Sequence, residues 1–178
     1  MQKKRILFVG GFKNGLNGST GGQVVACTTL LSSPIKDQYN WVLLDSTAPS
    51  NVIETFYKRA WRAIKRTIKF IYFLLFKRID KVLIFTGDGY SFWEKGTMAL
   101  LAILFDKQVI LAPRSGFIVD DMNANTKLSK FIPFVLNRVD TIVCQGESWK
   151  IFFENLVVNK QKCKVIQNWI NIDDIDFK

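Results

Sequence analysis

Between Gly10 and Gln23 the chain reads Gly10-Gly11-Phe12-Lys13-Asn14-Gly15-Leu16-Asn17-Gly18-Ser19-Thr20-Gly21-Gly22-Gln23. Six of these fourteen residues are glycine, more than half of the eleven in the whole chain. The apolar run Arg5 to Val9 precedes them and the apolar stretch Val24 to Leu31 follows. A strand, a glycine-rich loop and a helix N-terminus, in that order, make an anion-binding corner. Glycine admits positive φ and lets a ligand approach the backbone. Exposed N–H groups and the helix dipole then favour phosphate. The competing reading is a surface loop that holds no ligand. Two sharper phosphate motifs are missing. A P-loop needs Gly-Lys-Ser/Thr before the helix, and Gly21-Gly22-Gln23 lacks the lysine. The dinucleotide pattern G-x-G-x-x-G is out of register, although Asp45 ends the next apolar run where a ribose-binding acid would lie.

The second chemically loaded stretch runs from Val52 to Arg78, rich in helix formers and without Gly or Pro. Tyr57, Ala60, Trp61, Ile64, Ile68, Ile71, Tyr72 and Leu75 recur at helical spacing, and Lys58, Arg59, Arg62, Lys65, Arg66 and Lys69 fill the other face. No acid stands between Glu54 and Asp80. An ordinary solvated helix mixes signs to gain i,i+4 pairs. A core helix with one solvated basic face is one reading. The other is attachment to an anionic membrane surface through Arg59, Arg62, Lys65, Arg66 and Lys69. Nucleic acid is not expected as a partner, because no nucleic-acid-binding motif occurs.

Composition narrows the chemistry further. The 178 residues carry a formal charge of +10, which points to an anionic partner. There is no histidine, which excludes a Ser-His-Asp triad, a Cys-His pair and a histidine-ligated metal. Cys27, Cys144 and Cys163 lack metal or redox spacing; Cys27 and Cys144 read as buried small hydrophobes, and reduced thiols in a cytoplasmic protein are expected. No metal and no cofactor is expected. The N-terminus passes straight into a strand, so no signal peptide is expected. The apolar stretches Phe70 to Phe76 and Gly96 to Phe105 are too short to span a bilayer.

The elements that must position these residues alternate. Strands are expected at Arg5–Val9, Tyr39–Asp45, Lys81–Phe85, Gln108–Leu111, Thr141–Cys144 and Lys164–Ile166, with helices between them. A helix capped at Ser91 should run to Phe105 and bury Trp93; Asp120 to Thr126 reads as a polar loop; Lys127 to Arg138 is a helix containing Pro133; another opens at Gln145-Gly146-Glu147-Ser148. No strand alternates cleanly between apolar and polar, the signature of a parallel sheet covered on both faces. The fold class is therefore α/β: a Rossmann-like three-layer α/β/α sandwich with a mostly parallel sheet of six or seven strands. Ligands in such sheets sit beyond the carboxyl ends of the strands. That directs attention to Gly10 to Gly22, Asp45, Gly87, Asp88, Arg114 to Gly116, Glu147 and Ser148.

In order and spacing the chain resembles the N-terminal domain of family 4 retaining glycosyltransferases, of GT-B fold. The matching segments are Gly10-Gly11 with Gly18-Ser19-Thr20-Gly21-Gly22-Gln23, then Pro113-Arg114-Ser115-Gly116, then Val139 to Ser148, and finally Lys164-Val165-Ile166-Gln167-Asn168-Trp169-Ile170-Asn171. The resemblance implies one Rossmann-like domain over residues 1–178, with the C-terminal donor-binding domain absent from this chain. It implies transfer of a sugar from a nucleotide-sugar to a glycan or lipid-linked acceptor, as in polysaccharide or lipopolysaccharide synthesis, at the inner face of the cytoplasmic membrane. The domain alone should be inactive. Implied substrate or phosphate contacts are Gly10, Gly11, Gly18, Ser19, Thr20, Gly21, Gly22, Arg114, Ser115, Gly116, Ser148 and Asn168. Arg114, Asp88 and Glu147 are the catalytic candidates. Arg114 also fits a structural ion pair, Glu147 a helix-start acid, and Asp88, Asp120 and Asp121 loop caps. The place where many family members carry a histidine is held here by Arg114 and Ser115.

Overall fold

A computed structural model describes residues 3–14, 21–47 and 55–167. Its elements are β1 (Arg5–Gly10), α1 (Gly22–Ser32), β2 (Asn40–Asp45), α2 (Phe56–Phe76), β3 (Lys81–Thr86), α3 (Gly89–Leu104), β4 (Gln108–Pro113), α4 (Ile118–Asn123), α5 (Lys127–Arg138), β5 (Thr141–Cys144), α6 (Glu147–Glu154) and β6 (Cys163–Val165). The strands form one six-stranded sheet in the order β2-β1-β3-β4-β5-β6, and every neighbouring pair is parallel. This is a Rossmann-like α/β fold. β1 and β3 are buried from their second residue onward, as strands covered on both faces must be.

The two faces are covered unequally. From β1 the chain steps outward to β2, then returns past β1 to β3 and continues in that direction to β6. Parallel crossovers are right-handed, so a reversal of direction moves the next helix to the opposite face. The core follows this rule. Phe8, Ala26, Cys27 and Phe85 pack together on the α1 face. Leu7, Val9, Val82 and Ile84 pack on the other face against Phe70 and Leu74 of α2, Met98 of α3, Ile132 of α5 and Phe153 of α6. Phe8 is fully buried and meets Phe12 and Phe85 edge-on, each at 5.0 Å. Its burial alone contributes about 1.5–3 kcal/mol, and its contact with Phe12 fixes where the glycine-rich loop leaves the sheet.

Two acids tie the amino ends of the sheet. Asp80 Oδ2 accepts from the Arg5 N–H at 2.6 Å, and Asp140 Oδ2 accepts from the Val109 N–H at 2.7 Å. Each stands just before its own strand and pins the start of the strand beside it. Asp140, part of the family-like segment, thus has a structural task.

Several local expectations change. Asp120 to Thr126 is not a loop throughout: α4 occupies Ile118–Asn123, because Ile118 is fully buried and Met122 packs on the core. α3 begins at Gly89, not Ser91, since the Asp121 carboxylate accepts from the Gly89 N–H at 2.7 Å and closes the helix start from outside. Trp93 is partly exposed and stacks on Phe131 at 4.3 Å instead of entering the core. β6 starts at Cys163, and α2 is described from Phe56 to Phe76. All three cysteines are buried free thiols.

Gly10 is required by packing. A Cβ built there would stand 2.6 Å from Cys27 Sγ, inside any real contact. Gly10→Ala should therefore destabilise the fold by about 1–3 kcal/mol. Adding Cys27→Ala should return a large part of that loss, giving a coupling energy above about 0.5 kcal/mol in urea melts. Additive effects of the two changes would show that the contact does not limit this position.

Candidate functional site

At the carboxyl end of the sheet the first fixed point is Asp45. It closes β2 beside Gly10, its register partner on β1. Its Oδ1 accepts from the Phe12 N–H at 3.1 Å, the Thr47 N–H at 3.1 Å and the Thr47 hydroxyl at 2.6 Å. The Thr47 hydroxyl oxygen accepts in turn from the Phe12 and Lys13 N–H groups at 3.0 and 3.1 Å. Lys13 Nζ lies 3.7 Å from Asp45 Oδ2. Burial pushes the Asp45 carboxyl upward, but the hydrogen bonds of Thr47 and Phe12 and the Lys13 charge outweigh it and hold the group below the usual carboxylate range. Asp45 thus braces the exit of the glycine-rich loop. Its Oδ1 is thereby engaged with the loop, while Oδ2 faces Lys13.

A cavity of about 630 Å³ opens beside this brace. It sits where the strand order reverses, between the loops after β1 and β2 and the first turns of α2 and α3. The carboxyl-end crevice at such a switch point is the ordinary ligand position of open α/β sheets. Gly11, Gly21 and Gln23 line one wall, with Ser46 and Thr47 beyond it. Among the described residues nothing lies within 4 Å of a Cβ built on Gly21 or Gly22, so that backbone is open to approach. Gln23 donates its side-chain amide to the Phe85 carbonyl at 3.1 Å, fixing the first turn of α1 over β3. Gly18, Ser19, Thr20 and Asn168 lie outside the described residues, as do Gly15 and residues 48–54.

The other wall is cationic. Arg59, Arg62 and Arg66 line the cavity from α2, Lys13 from the first loop and Lys95 from α3, with Glu94 the one lining carboxylate among the described residues. Arg66 and Glu94 form a two-pronged pair at 2.6 and 2.8 Å, and Lys95 Nζ lies 3.4 Å from Glu94 Oε2. Lys95 is only 5% exposed. Burial lowers its pKa, partly opposed by Glu94. Burial pushes Glu94 upward, but its hydrogen bond to Arg66 and the charges of Lys95 and Arg66 hold it low. The Arg59 guanidinium lies 5.0 Å from the centroid of the Tyr90 ring.

The arrangement of α2 corrects the expected one. Arg59, Arg62 and Arg66, assigned from sequence to a membrane-facing surface, turn inward to the cavity. The outward face carries Tyr57, Trp61, Ile64, Ile68, Tyr72 and Leu75, all exposed, Trp61 by 59% and Ile68 by 62%. Lys58, Lys65 and Lys69 are exposed as well. The sheet side needs Phe70 and Leu74, which lie in the core, and these share a side with the arginines. Amphipathic periodicity separates two faces, but it does not say which one the fold buries.

The remaining candidates do not converge on one point. Arg114 lies on the α1 side, its N–H donating to Thr86 O at 2.8 Å and its guanidinium 5.1 Å from the Phe85 ring centroid. Ser115 Oγ accepts from the Phe117 N–H at 3.3 Å, next to an exposed Gly116. Asp88 occupies the N-cap position of α3 without a side-chain cap bond. Glu147 opens α6 and pairs with Lys150 at 3.6 Å, beside an exposed Ser148. None of these lines the cavity. Sequence reasoning missed Thr47, Gln23, Tyr90, Glu94 and Lys95. One signal was present: Glu94-Lys95 interrupts an otherwise apolar helix, as inward-facing partners do. Among the described residues no cluster of acids and cysteines could hold a metal, and no helix is long and apolar enough to cross a membrane.

No protein-family model and no curated protein matches the chain. Solved structures do. HepE of Anabaena in complex with UDP-glucose matches with a TM-score of 0.54 at 13% identity, over 95% of this chain and 45% of that one. Its complex with UDP and glucose matches at 0.54 and 12%, over 96% and 46%. A 2-deoxyribosyltransferase from Bacillus psychrosaccharolyticus matches at 0.43 and 13%, over 93% and 99%. This chain spans less than half the length of the HepE structures, and the likeness is one of fold.

The Asp45 brace makes a pH-dependent contribution with a defined sign. A carboxyl whose folded pKa is depressed contributes stability above its unfolded pKa, and loses it as pH falls through the folded value. Asp45→Asn should lower stability by about 1–3 kcal/mol at pH 7 by weakening the bonds that hold Phe12 and Thr47. The gap from the unaltered chain should shrink as pH falls below the usual carboxylate range. Urea melts across that range check it; a gap independent of pH would remove the brace from the account.

Proposed function

We propose that this chain is the N-terminal half of a GT-B retaining glycosyltransferase, which moves a sugar from a nucleotide-sugar to a glycan or lipid-linked acceptor. The observation that carries the reading is the cationic cavity at the sheet's switch point, walled by open glycine backbone on one side and arginines on the other. The fold likeness supports the donor class, since nearly the whole chain superposes on less than half of a protein solved with UDP-glucose. The family-like segments after β1, β4 and β5 support it again.

In this reading the backbone amides near Gly21 and Gly22 face the departing diphosphate, where fixed N–H dipoles stabilise developing charge. No metal or cofactor is needed for that task. Arg114 remains a candidate for an anionic group on the far side of the crevice, its planar fork suited to phosphate. In this reading the donor's main contacts belong to a second Rossmann-like domain that would close over this edge. The alternative, a dinucleotide-binding protein, rests on Asp45, whose Oδ1 is engaged with the loop and whose Oδ2 lies 3.7 Å from Lys13 Nζ.

The same reading sets the domain on an anionic membrane. The outward apolar stripe of α2 supplies the burial, and Lys58, Lys65 and Lys69 supply the charge.

Two measurements test this. UDP-glucose at millimolar concentration should raise the melting temperature by about 1–2 °C, as weak binding to half a site allows, while NAD should not; a larger shift with NAD would favour the dinucleotide reading. The chain should sediment with anionic vesicles and not with neutral ones. Changing Lys58, Lys65 and Lys69 to Gln should weaken that binding by about tenfold to a hundredfold. Equal binding to neutral vesicles, or none to anionic ones at low salt, would remove the membrane from the proposal.

A further inference from the structure

We propose that the aromatic stack of α3 and α5, with the basic residues that flank it on α5, is a second line of membrane contact, which runs beside the outward stripe of α2 and lays the helical layer flat on an anionic bilayer. That a bilayer is the partner rests on the reading above; the second line, and the orientation it fixes, are added to it.

The second line is built from specific contacts. Trp93 of α3 stacks on Phe131 of α5 with ring centroids 4.3 Å apart and planes 16° apart, and Phe131 continues to Phe134 at 6.5 Å and 22°. The Arg138 guanidinium closes the row, 3.5 Å from the Phe134 ring centroid. Glycine is a poor helix former, yet Gly96 stands inside α3. A Cβ there would stand 2.8 Å from the Phe131 ring, so the glycine is what lets the stack lie against α3. Residues 127, 131, 134 and 138 fall on one face of α5. On that face Lys127, Phe134 and Arg138 are exposed, as is the neighbouring Lys130.

The composition of the layer selects the partner. α2 and α5 contain no acid, and α3 contains only Glu94, which turns inward to Arg66. α5 thus repeats the pattern of α2: exposed aromatic rings beside Lys and Arg, with no carboxylate in the helix to pair them. Such a surface matches the bilayer interface, where aromatic rings settle at headgroup depth and cations meet anionic lipid. A second copy of the chain would bring these cations onto one another. A nucleic acid would leave Ile64, Ile68 and Leu75, all exposed, without an apolar partner.

Two lines do what one cannot. On α2 alone the domain is free to roll about the helix axis. α3 packs between α2 and α5. Neighbouring helices stand about 8–10 Å apart, so the two lines are roughly 16–20 Å apart and the roll is stopped. Trp93 also lines the cavity between α2 and α3. In this orientation the cavity meets the headgroup layer, where a lipid-linked acceptor would reach it.

The test uses the full chain with vesicles of phosphatidylglycerol and phosphatidylcholine. The three native thiols are buried, so a fluorophore can be attached to a single new cysteine. The positions are Ile68→Cys on α2, Phe134→Cys on α5 and, on the opposite face of the sheet, Thr28→Cys on α1, where Thr28 is exposed. Brominated lipid should quench the first two labels and spare the third. Lys127→Gln, Lys130→Gln and Arg138→Gln together should weaken vesicle binding about tenfold or more. Quenching at 68 but not at 134, with binding unchanged in the triple variant, would overturn the second line and leave the α2 contact standing. No binding of the unaltered chain to these vesicles would overturn both. A dimer in light scattering that Phe134→Ser dissolves would assign the face to a second copy and overturn the proposal. The melting-temperature shift with UDP-glucose should be the same in the triple variant as in the unaltered chain, so the transferase reading stands or falls separately.

Discussion

Between β2 and β3 the chain reverses its direction across the sheet, and right-handed crossovers turn that reversal into a division of faces. Among the described helices, α1 alone goes to one side, and α2, α3, α5 and α6 go to the other. At the reversal the chain leaves β1 and β3 toward opposite faces of the sheet. A crevice at that edge is a consequence of topology. What the sequence adds is its lining: glycine backbone from one side, three arginines from the other, and the Asp45–Thr47 brace that sets the loop's exit.

α2 carries two different faces of the account. Its inner side joins the core through Phe70 and Leu74 and lines the cavity with arginines. Its outer side leaves a row of aromatic and aliphatic residues in water, which the fold itself gains nothing by exposing. Glu94 makes the inner arrangement possible. Without it, Arg66 and the buried Lys95 would be like charges at close range, a loss of the size that breaking buried pairs brings.

The sheet was legible because six short apolar runs alternate with helical stretches, and parallel strands must be apolar on both faces. Strand ends ran further than the apolar runs at Gly10, Thr86 and Pro113, where backbone pairing continues past the last large hydrophobe. α4 was hidden because Asp120, Asp121 and Asn123 read as loop residues, and its helicity comes from the tertiary burial of Ile118. The position of the site was legible in the same way, from a glycine-rich loop after the first strand. Its cationic wall was not. The arginines were visible at helical spacing, but Glu94 lies twenty-eight residues from Arg66, and only packing reveals that the charged face turns inward. Asp45 was found as an end-of-strand acid, while its partner Thr47, two residues on, carried the turn chemistry that explains it.

The central claim is one of place: that an anionic ligand enters at the switch point between β1 and β3. Amide chemical-shift mapping of the isotope-labelled chain during a pyrophosphate titration tests it most directly. The account predicts that the largest shifts fall on Gly11, Gly21, Gln23, Arg59, Arg62 and Ser91. Shifts concentrated instead on Lys58, Lys65 and Lys69, or on the lysines around α6 and β6, would contradict it.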